Sequence, residues 1–175
     1  MNLYFEIPNK FTKYMSDGNS TTTTTTTNSS SNNNKSPTTI LDSTLTIAEH
    51  VFAKWLLGDT TYKNERLKLI PYVAEGPWVV RNMVTGRPAI IGKKLPVTYQ
   101  WFNSSSSPLL MATLDIGNSS ATAKRIVSVC RRYMSALTVD IGFVIQGDTP
   151  TELPEQMLGA MRIHGPDPLK APKLN

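Results

Sequence analysis

A change in the spacing of apolar residues near position 137 constrains the fold more than any other feature of this chain. Over residues 121–136 apolar side chains recur every three or four positions, which predicts a helix with one apolar face. Residues 138–146 then alternate apolar and polar side chains, which predicts a strand. We expect this pair, within the stretch 109–161, to carry the core of the domain. The apolar residues of the predicted helix are Ala123, Ile126, Val127, Cys130, Tyr133 and Met134.

Shorter patterns predict further elements around this pair. Residues 1–7 alternate like a strand, and Thr46 with Glu49 three positions later forms a capping box for a helix that Gly58 ends. A strand that begins at Leu67 should end near Pro71 or lie at a sheet edge. Further strands are predicted at residues 78–83, 89–92, 97–102 and 109–116, and a last short helix from 149 to 161.

The irregular order of these elements indicates an α+β domain. We expect a largely antiparallel sheet of five to six strands packed against two or three helices. Every residue from 19 to 36 except Lys35 is Ser, Thr or Asn, so this tract has no apolar surface to offset its ordering entropy and is predicted to be a disordered insertion. The predicted organisation is an N-terminal strand at 1–15, the insertion at 16–45, the main domain at 46–165 and a flexible tail at 166–175.

The composition is mildly basic, with a net charge of +5 and a pI near 9.4. This charge fits an anionic membrane or a nucleic acid as partner, and it fits equally an ordinary soluble domain with excess Lys and Arg. Two histidines and one cysteine, none at ligand spacing, predict neither a metal site nor a cofactor. The absence of a 20-residue apolar run and of a secretory signal pattern predicts a cytoplasmic location, with peripheral membrane association as the alternative.

Two groups of basic residues are candidate lipid or membrane contacts, because each cation near an anionic leaflet contributes about 1 kcal/mol. One group surrounds a predicted hairpin and the other lies on the helix at 121–136, where a solvated helix face is an equally good explanation. Nucleic acid is disfavoured, because the charge is sparse and the aromatic residues are expected in the core. The candidate contacts are Arg87, Lys93, Lys94, Lys124 and Arg131.

No residue set predicts catalysis. A hydrolytic triad needs a nucleophile, a base and an orienting group, but His50 falls on a helix surface and His164 in the tail. Cys130 lies within the apolar arc, where packing is expected rather than reactivity. The sequence therefore predicts no catalytic residues.

Asp115 and Asp140 are candidates for a buried polar site if their strands are neighbours. The structural interpretation is a hydrogen bond to Asp140 from neighbouring backbone, from Arg66 or from Arg81. A ligand contact in a cavity is the functional interpretation.

Seven segments, in this order, resemble the C-terminal domain of the plant Enhanced Disease Resistance 2 proteins. They are LLGD (56–59), NERLKLIP (64–71), GPWVVR (76–81), IGK (91–93), LDIGNSS (114–120), TVDIGFVIQ (138–146) and ELPEQMLG (152–159). Full members of the family often carry a pleckstrin-homology and a lipid-transfer (START) domain before this one, and neither is present in this sequence. The resemblance thus predicts a fragment or a minimal member.

The resemblance implies association with lipid or with membrane proteins, and it supplies no catalytic residue. The predicted function is a non-catalytic domain that assists lipid binding or membrane targeting. The alternative is a protein-interaction module without lipid binding, whose partner covers a sheet edge. A weaker alternative is an unrecognised hydrolase that uses Asp115 or Asp140.

Deletion of residues 19–36 should leave the stability of the domain almost unchanged, because nothing in the tract can pack. Thermal unfolding of the deleted and complete chains checks this. A fall in Tm of more than about 4 °C, which corresponds to roughly 1 kcal/mol in a domain of this size, would contradict the prediction of disorder.

Overall fold

The computed structural model describes residues 1–15, 43–102 and 108–167, so the predicted insertion up to residue 42 and the tail from 168 lie outside the described residues. The α+β class is confirmed, and the strands divide between two antiparallel sheets. Strand order is β1-β5-β4 in the first sheet and β3-β2-β6-β7 in the second. The strands are β1 Asn2–Glu6, β2 Leu67–Glu75, β3 Ala89–Ile90, β4 Val97–Phe102, β5 Leu109–Leu114, β6 Thr138–Ile145 and β7 Met157–His164.

Four α-helices lie within the described residues. The capping box predicted at Thr46 is present, because its side chain accepts from the Glu49 N–H while the Glu49 carboxylate accepts from the Thr46 N–H. This helix ends at Gly58, and the Asp59 side chain caps the next helix. The helices are α1 Ile47–Leu57, α2 Thr60–Arg66, α3 Trp78–Val84 and α4 Ala121–Tyr133, and short 3-10 segments occur at Asn9–Tyr14, Ile91–Lys93, Met134–Ala136 and Pro150–Glu152.

The main core lies between the three-stranded sheet, α1 and one end of the four-stranded sheet. Trp55 and Leu56 of α1, Leu110 of β5 and Phe143 of β6 are almost completely buried there. The expectation that the helix at 121–136 shares this core is wrong, because α4 has no fully buried residue. Its apolar arc covers only a small second cluster, whose buried residues are Val73, Val80 and Leu137. Helix α1 therefore takes the central place that we assigned to α4.

Both clusters lie on the same face of the four-stranded sheet. Leu69 pairs with Phe143 and Val73 pairs with Val139, and residues two or four apart on a strand share a face. Leu69 and Phe143 face the main core, whereas Val73 and Val139 face the second cluster. Helix α1 and the three-stranded sheet therefore pack against one end of the inner face of β2. Helices α3 and α4 pack against the other end.

Strand β2 continues through Pro71, which we expected to end it or to place it at an edge. The Gly86 N–H donates to the Pro71 carbonyl at 3.2 Å, on the side away from β6. The N and O atoms of one strand residue point to the same side, so the missing N–H of Pro71 lies beyond the end of the two-residue strand β3. No ladder hydrogen bond is lost there, and a central strand tolerates the proline.

Two segments adopt the opposite secondary structure to the predicted one. Residues 78–83, predicted as a strand, belong to α3, because Val80 and Val84 bury one helical face against Val73. Residues 157–161, predicted as helical, belong to β7, which pairs with the open edge of β6 over Asp140↔Arg162 and Thr138↔His164. Only the single turn Pro150–Glu152 is helical in that region.

Lys63 is a buried lysine at the junction of α1 and α2, with 8% of its surface exposed. Its Nζ donates to the Gly58 carbonyl and lies 5.9 Å from the centroid of the Trp101 ring. Burial lowers the pKa of the Lys63 ammonium from 10.5 to about 8. The ammonium therefore stabilises the end of α1 through this hydrogen bond. Its burial also removes part of its hydration, which costs the folded state free energy.

This shift predicts that stability rises with pH between about 8 and 10.5. In that window the unfolded chain binds a proton at Lys63 that the folded chain has released, so Lys63 should add about 1–2 kcal/mol to the free energy of unfolding between pH 7.5 and pH 9.5. Urea unfolding of the wild type and of Lys63→Met at both pH values measures the effect. The variant should lack this part of the rise.

Lys93→Met serves as the control, because it removes an exposed lysine. It should follow the wild-type pH dependence. Parallel curves for the wild type and Lys63→Met would show that burial does not perturb Lys63.

Candidate functional site

Apart from Lys13 and the buried Lys63, the lysines and arginines of the described residues fall into two sets. The first set is ion-paired and belongs to α1, α2, β2, β7 and the turn before α1. Lys54 contacts Glu152 at 2.9 Å and Lys68 contacts Glu155 at 2.7 Å, so these pairs fasten the β6–β7 connection to the body of the domain. The ion-paired cations are Lys10, Lys54, Arg66, Lys68 and Arg162.

The second set is exposed and makes no ion pair with any residue that the structure describes. It contains all five predicted contacts and three further arginines. Residues 76–139 hold all eight of these cations and a single acidic residue, Asp115. The second set is Arg81, Arg87, Lys93, Lys94, Lys124, Arg125, Arg131 and Arg132.

A main-chain hydrogen bond joins the two predicted basic groups. The Ser120 N–H donates to the Lys94 carbonyl at 2.8 Å, and Ser120 is also the N-cap of α4. The turn that carries Lys93 and Lys94 therefore lies against the N-terminal end of α4. The predicted hairpin around these lysines is absent, because β3 pairs with β2 and Lys93 belongs to a 3-10 turn.

Helices α3 and α4 form one layer over the second cluster. They pack through Val79, Val80 and Val84 on α3 and through Val129, Cys130 and Tyr133 on α4. Their opposite sides are exposed, with Trp78 and Arg81 on α3 and with Lys124, Ser128 and Arg131 on α4. Because both helices cover the same side of the sheet, these exposed sides face away from it together.

We call the combined surface the basic helical face. Arg87 is not included, because it lies in the α3–β3 link, outside both helices and the turn at Ile91–Lys93. Trp78 and Arg81 were missed by the sequence analysis, although the scarcity of acids over residues 76–139 was a usable signal. The basic helical face consists of Arg81, Lys93, Lys94, Lys124, Arg125, Arg131 and Arg132.

Asp115 and Asp140 do not form the predicted buried site. Asp115 follows β5 of the first sheet, whereas Asp140 belongs to β6 of the second. Asp115 is exposed, and hydrogen bonds from Asn118 lower the pKa of its carboxyl. Asp140 lies on the outer face of the four-stranded sheet and accepts two hydrogen bonds from Arg162, at 2.6 and 2.8 Å, which lower the pKa of its carboxyl. The partner is therefore neither Arg66 nor Arg81.

A cavity of about 240 Å³ lies under α1, between the 3-10 turn at Asn9–Tyr14 and the β6–β7 connection. Phe11 and Phe52 line it, and their rings meet edge to face at 4.9 Å. Its carboxylates include Glu49, whose pKa is lowered to about 2 by the hydrogen bond from Lys10. Glu152 and Glu155 are ion-paired as well, so these three carboxylates fasten segments together.

Thr138, His164 and Glu75 meet at the end of the four-stranded sheet. The Thr138 hydroxyl lies 2.6 Å from a Glu75 carboxylate oxygen and 2.7 Å from His164 Nδ1. A hydroxyl has one proton and a carboxylate only accepts, so Thr138 donates to Glu75 and accepts from His164. In a hydroxyl–histidine–carboxylate triad the hydroxyl donates to the histidine, whereas here it accepts from His164, so the trio is not arranged as such a triad.

Cys130 is half-buried in the second cluster, and burial raises the pKa of its thiol, so it is packed as predicted. His50 contacts the Thr46 carbonyl through Nδ1 at 3.0 Å. Among the described residues, no group of three or more His, Cys, Asp or Glu side chains could hold a metal ion. None of the helices that the structure describes is long and apolar enough to cross a bilayer.

Comparison with known proteins identifies the family. The sequence model of the C-terminal region of the protein Enhanced Disease Resistance 2 matches residues 1–167. A protein of Arabidopsis thaliana, Enhanced Disease Resistance 2-like, is 35% identical over 113 residues, which are 65% of this chain and 15% of that protein. No solved structure matches. The resemblance seen in the seven segments is thus confirmed, and the chain belongs to the family of Enhanced Disease Resistance 2 C-terminal domains.

Proposed function

We propose that this domain attaches to anionic membrane surfaces through the basic helical face. The observation that carries the proposal is the hydrogen bond from Ser120 to Lys94, because it joins the cations of two separate elements. The face contains seven exposed cations, and none of them has to leave a carboxylate of the described residues before it meets a lipid phosphate.

The energy available suits an accessory role. A basic residue near an anionic leaflet contributes about 1 kcal/mol, so four simultaneous contacts give about 4 kcal/mol, close to a millimolar dissociation constant. Attachment of that strength is reversible and assists another binding element. The chain spans 15% of the length of the Arabidopsis relative, so further binding elements in a longer protein fit this role.

A protein-interaction module remains the second candidate, and the edge of β7 favours it. This strand has eight residues, and it pairs with β6 on one side only among the described strands. An exposed edge strand can accept a strand from a partner. On this alternative the partner contacts the main chain at Met157–His164, and the basic helical face plays no part.

Sedimentation with vesicles tests the membrane proposal. The protein should sediment with phosphatidylcholine vesicles that contain phosphatidylserine and should not sediment with phosphatidylcholine alone. Neutralising two contacts, as Lys93→Gln with Lys94→Gln or as Lys124→Gln with Arg131→Gln, should weaken binding roughly thirtyfold. Raising the salt from about 0.1 M to 1 M should also release the protein, because the Debye length falls from about 10 Å to 3 Å.

The matched control is Lys10→Gln with Arg162→Gln. It removes the same two charges from the ion-paired set, so binding should change by less than about threefold if the face and not the net charge is responsible. A folded protein that ignores anionic vesicles at low salt would refute the membrane proposal. Binding to single-stranded DNA that the face variants lose, without vesicle binding, would reassign the face to nucleic acid.

A further inference from the structure

Trp78 is unusual among the tryptophans of this chain. Trp55 is completely buried in the main core and Trp101 is half-buried on β4, whereas 75% of Trp78 is exposed. Scattered exposed apolar residues are common and need no explanation. Trp78 is notable for its position, because it is the first residue of α3 and shares the exposed side of that helix with Arg81, one turn later.

The main chain before Trp78 fixes it beside the C-terminal end of α4. Gly76 has a φ of +141°, and a Cβ there would overlap the side chain of Leu137, which follows α4 and its 3-10 turn. Residues 76–78 therefore run close to the chain that leaves α4. Lys94 lies at the opposite end of the same helix, against Ser120. The 13 residues of α4 separate the two ends by about 20 Å.

We propose that Trp78 enters the boundary between lipid headgroups and acyl chains when the basic helical face meets a membrane. The inference rests on the proposed function. Tryptophan prefers this boundary because its ring is apolar and its indole N–H can donate to a headgroup. With the lysines holding one end of α4 and Trp78 the other, α4 lies parallel to the bilayer surface. Val127, the exposed apolar residue midway along α4, then contacts the same boundary.

The arrangement favours a membrane over a protein or nucleic-acid partner. The exposed sides of α3 and α4 belong to one helical layer, and the cavity under α1 is lined by none of the residues of the basic helical face. A broad surface with cations around one large aromatic residue matches the amphipathic surfaces that bind membrane interfaces, where apolar burial and attraction to anionic lipid add together.

Fluorescence measurements with brominated lipids test the inference. Vesicles of phosphatidylcholine and phosphatidylserine with brominated acyl chains should quench the complete protein and shift its emission to shorter wavelength. Trp78→Phe should remove both changes, because Trp55 and Trp101 stay within the fold. Trp78→Ala should lower vesicle affinity about tenfold. The variant loses the free energy gained when roughly half of a large apolar side chain is buried in the membrane.

Tyr72→Ala is the matched control. Tyr72 is also an exposed aromatic residue, at 55%, but it lies on the outer face of the four-stranded sheet, paired with Asp140. This variant should bind vesicles like the wild type. Thermal unfolding of Trp78→Ala should be unchanged, because the ring contributes little to either core cluster.

The outcomes separate this inference from the proposed function. Vesicle binding that is sensitive to salt and to Lys93→Gln with Lys94→Gln, but without quenching of Trp78, overturns the inference and leaves the membrane proposal intact. No vesicle binding by the wild type overturns both. Quenching that Trp78→Phe abolishes, together with the loss of affinity in Trp78→Ala, supports the inference.

Discussion

The pairing of β2 with β6 is the interaction on which the rest of the structure depends. The two strands pair from Leu67↔Ile145 to Glu75↔Thr138, so the inner face of their sheet is long enough to bury two separate clusters. The main core covers one end and the helical layer of α3 and α4 covers the other. Without this shared face, the helical layer would lose the sheet surface against which Val80 and Val84 pack.

This division also explains why the helical layer can carry a function. Trp55, Leu56 and Phe143 stabilise the main core and are almost completely buried. The helical layer instead covers a cluster with only three fully buried residues, Val73, Val80 and Leu137, of which only Val80 belongs to the layer. Most of its residues are free to serve a surface role at small cost in stability. On and around α4, the concentration of cations that form no ion pair with a described residue is consistent with such a role.

Local sequence patterns correctly predicted the features that depend on interactions between residues close together in the sequence. The capping box at Thr46 and Glu49 satisfies hydrogen bonds within four residues, so it was visible in the sequence. The run Trp78 to Val80 fits a strand and a helix equally well, and only the burial of Val80 against Val73 decides for the helix. For β7, Met157, Leu158 and Met161 fit helical spacing, and the pairing with β6 decides for a strand.

The sequence predicts several residues of the candidate site, but it does not predict that these residues form one surface. Four of its seven cations and the sign of its charge follow from the sequence, but the contact between Lys94 and Ser120 spans 26 positions and no periodic pattern encodes it. Trp78 was missed for a related reason. Its exposure depends on α3 turning its valines toward Val73, which is a property of the packed layer.

The segregation of paired and unpaired cations has a consequence at distances beyond contact. Ion pairs cancel most of the charge around α1, β2 and the β6–β7 connection, whereas the cations of α3, α4 and the turn at Ile91–Lys93 are not cancelled by described residues. The described residues therefore have a separation of charge, an electric dipole whose positive end lies at the helical layer. In the field of a negatively charged surface such a dipole experiences a torque. If the domain attaches to membranes as proposed, it would already be turned with its helices forward when it arrives, and a larger fraction of collisions would become attachments.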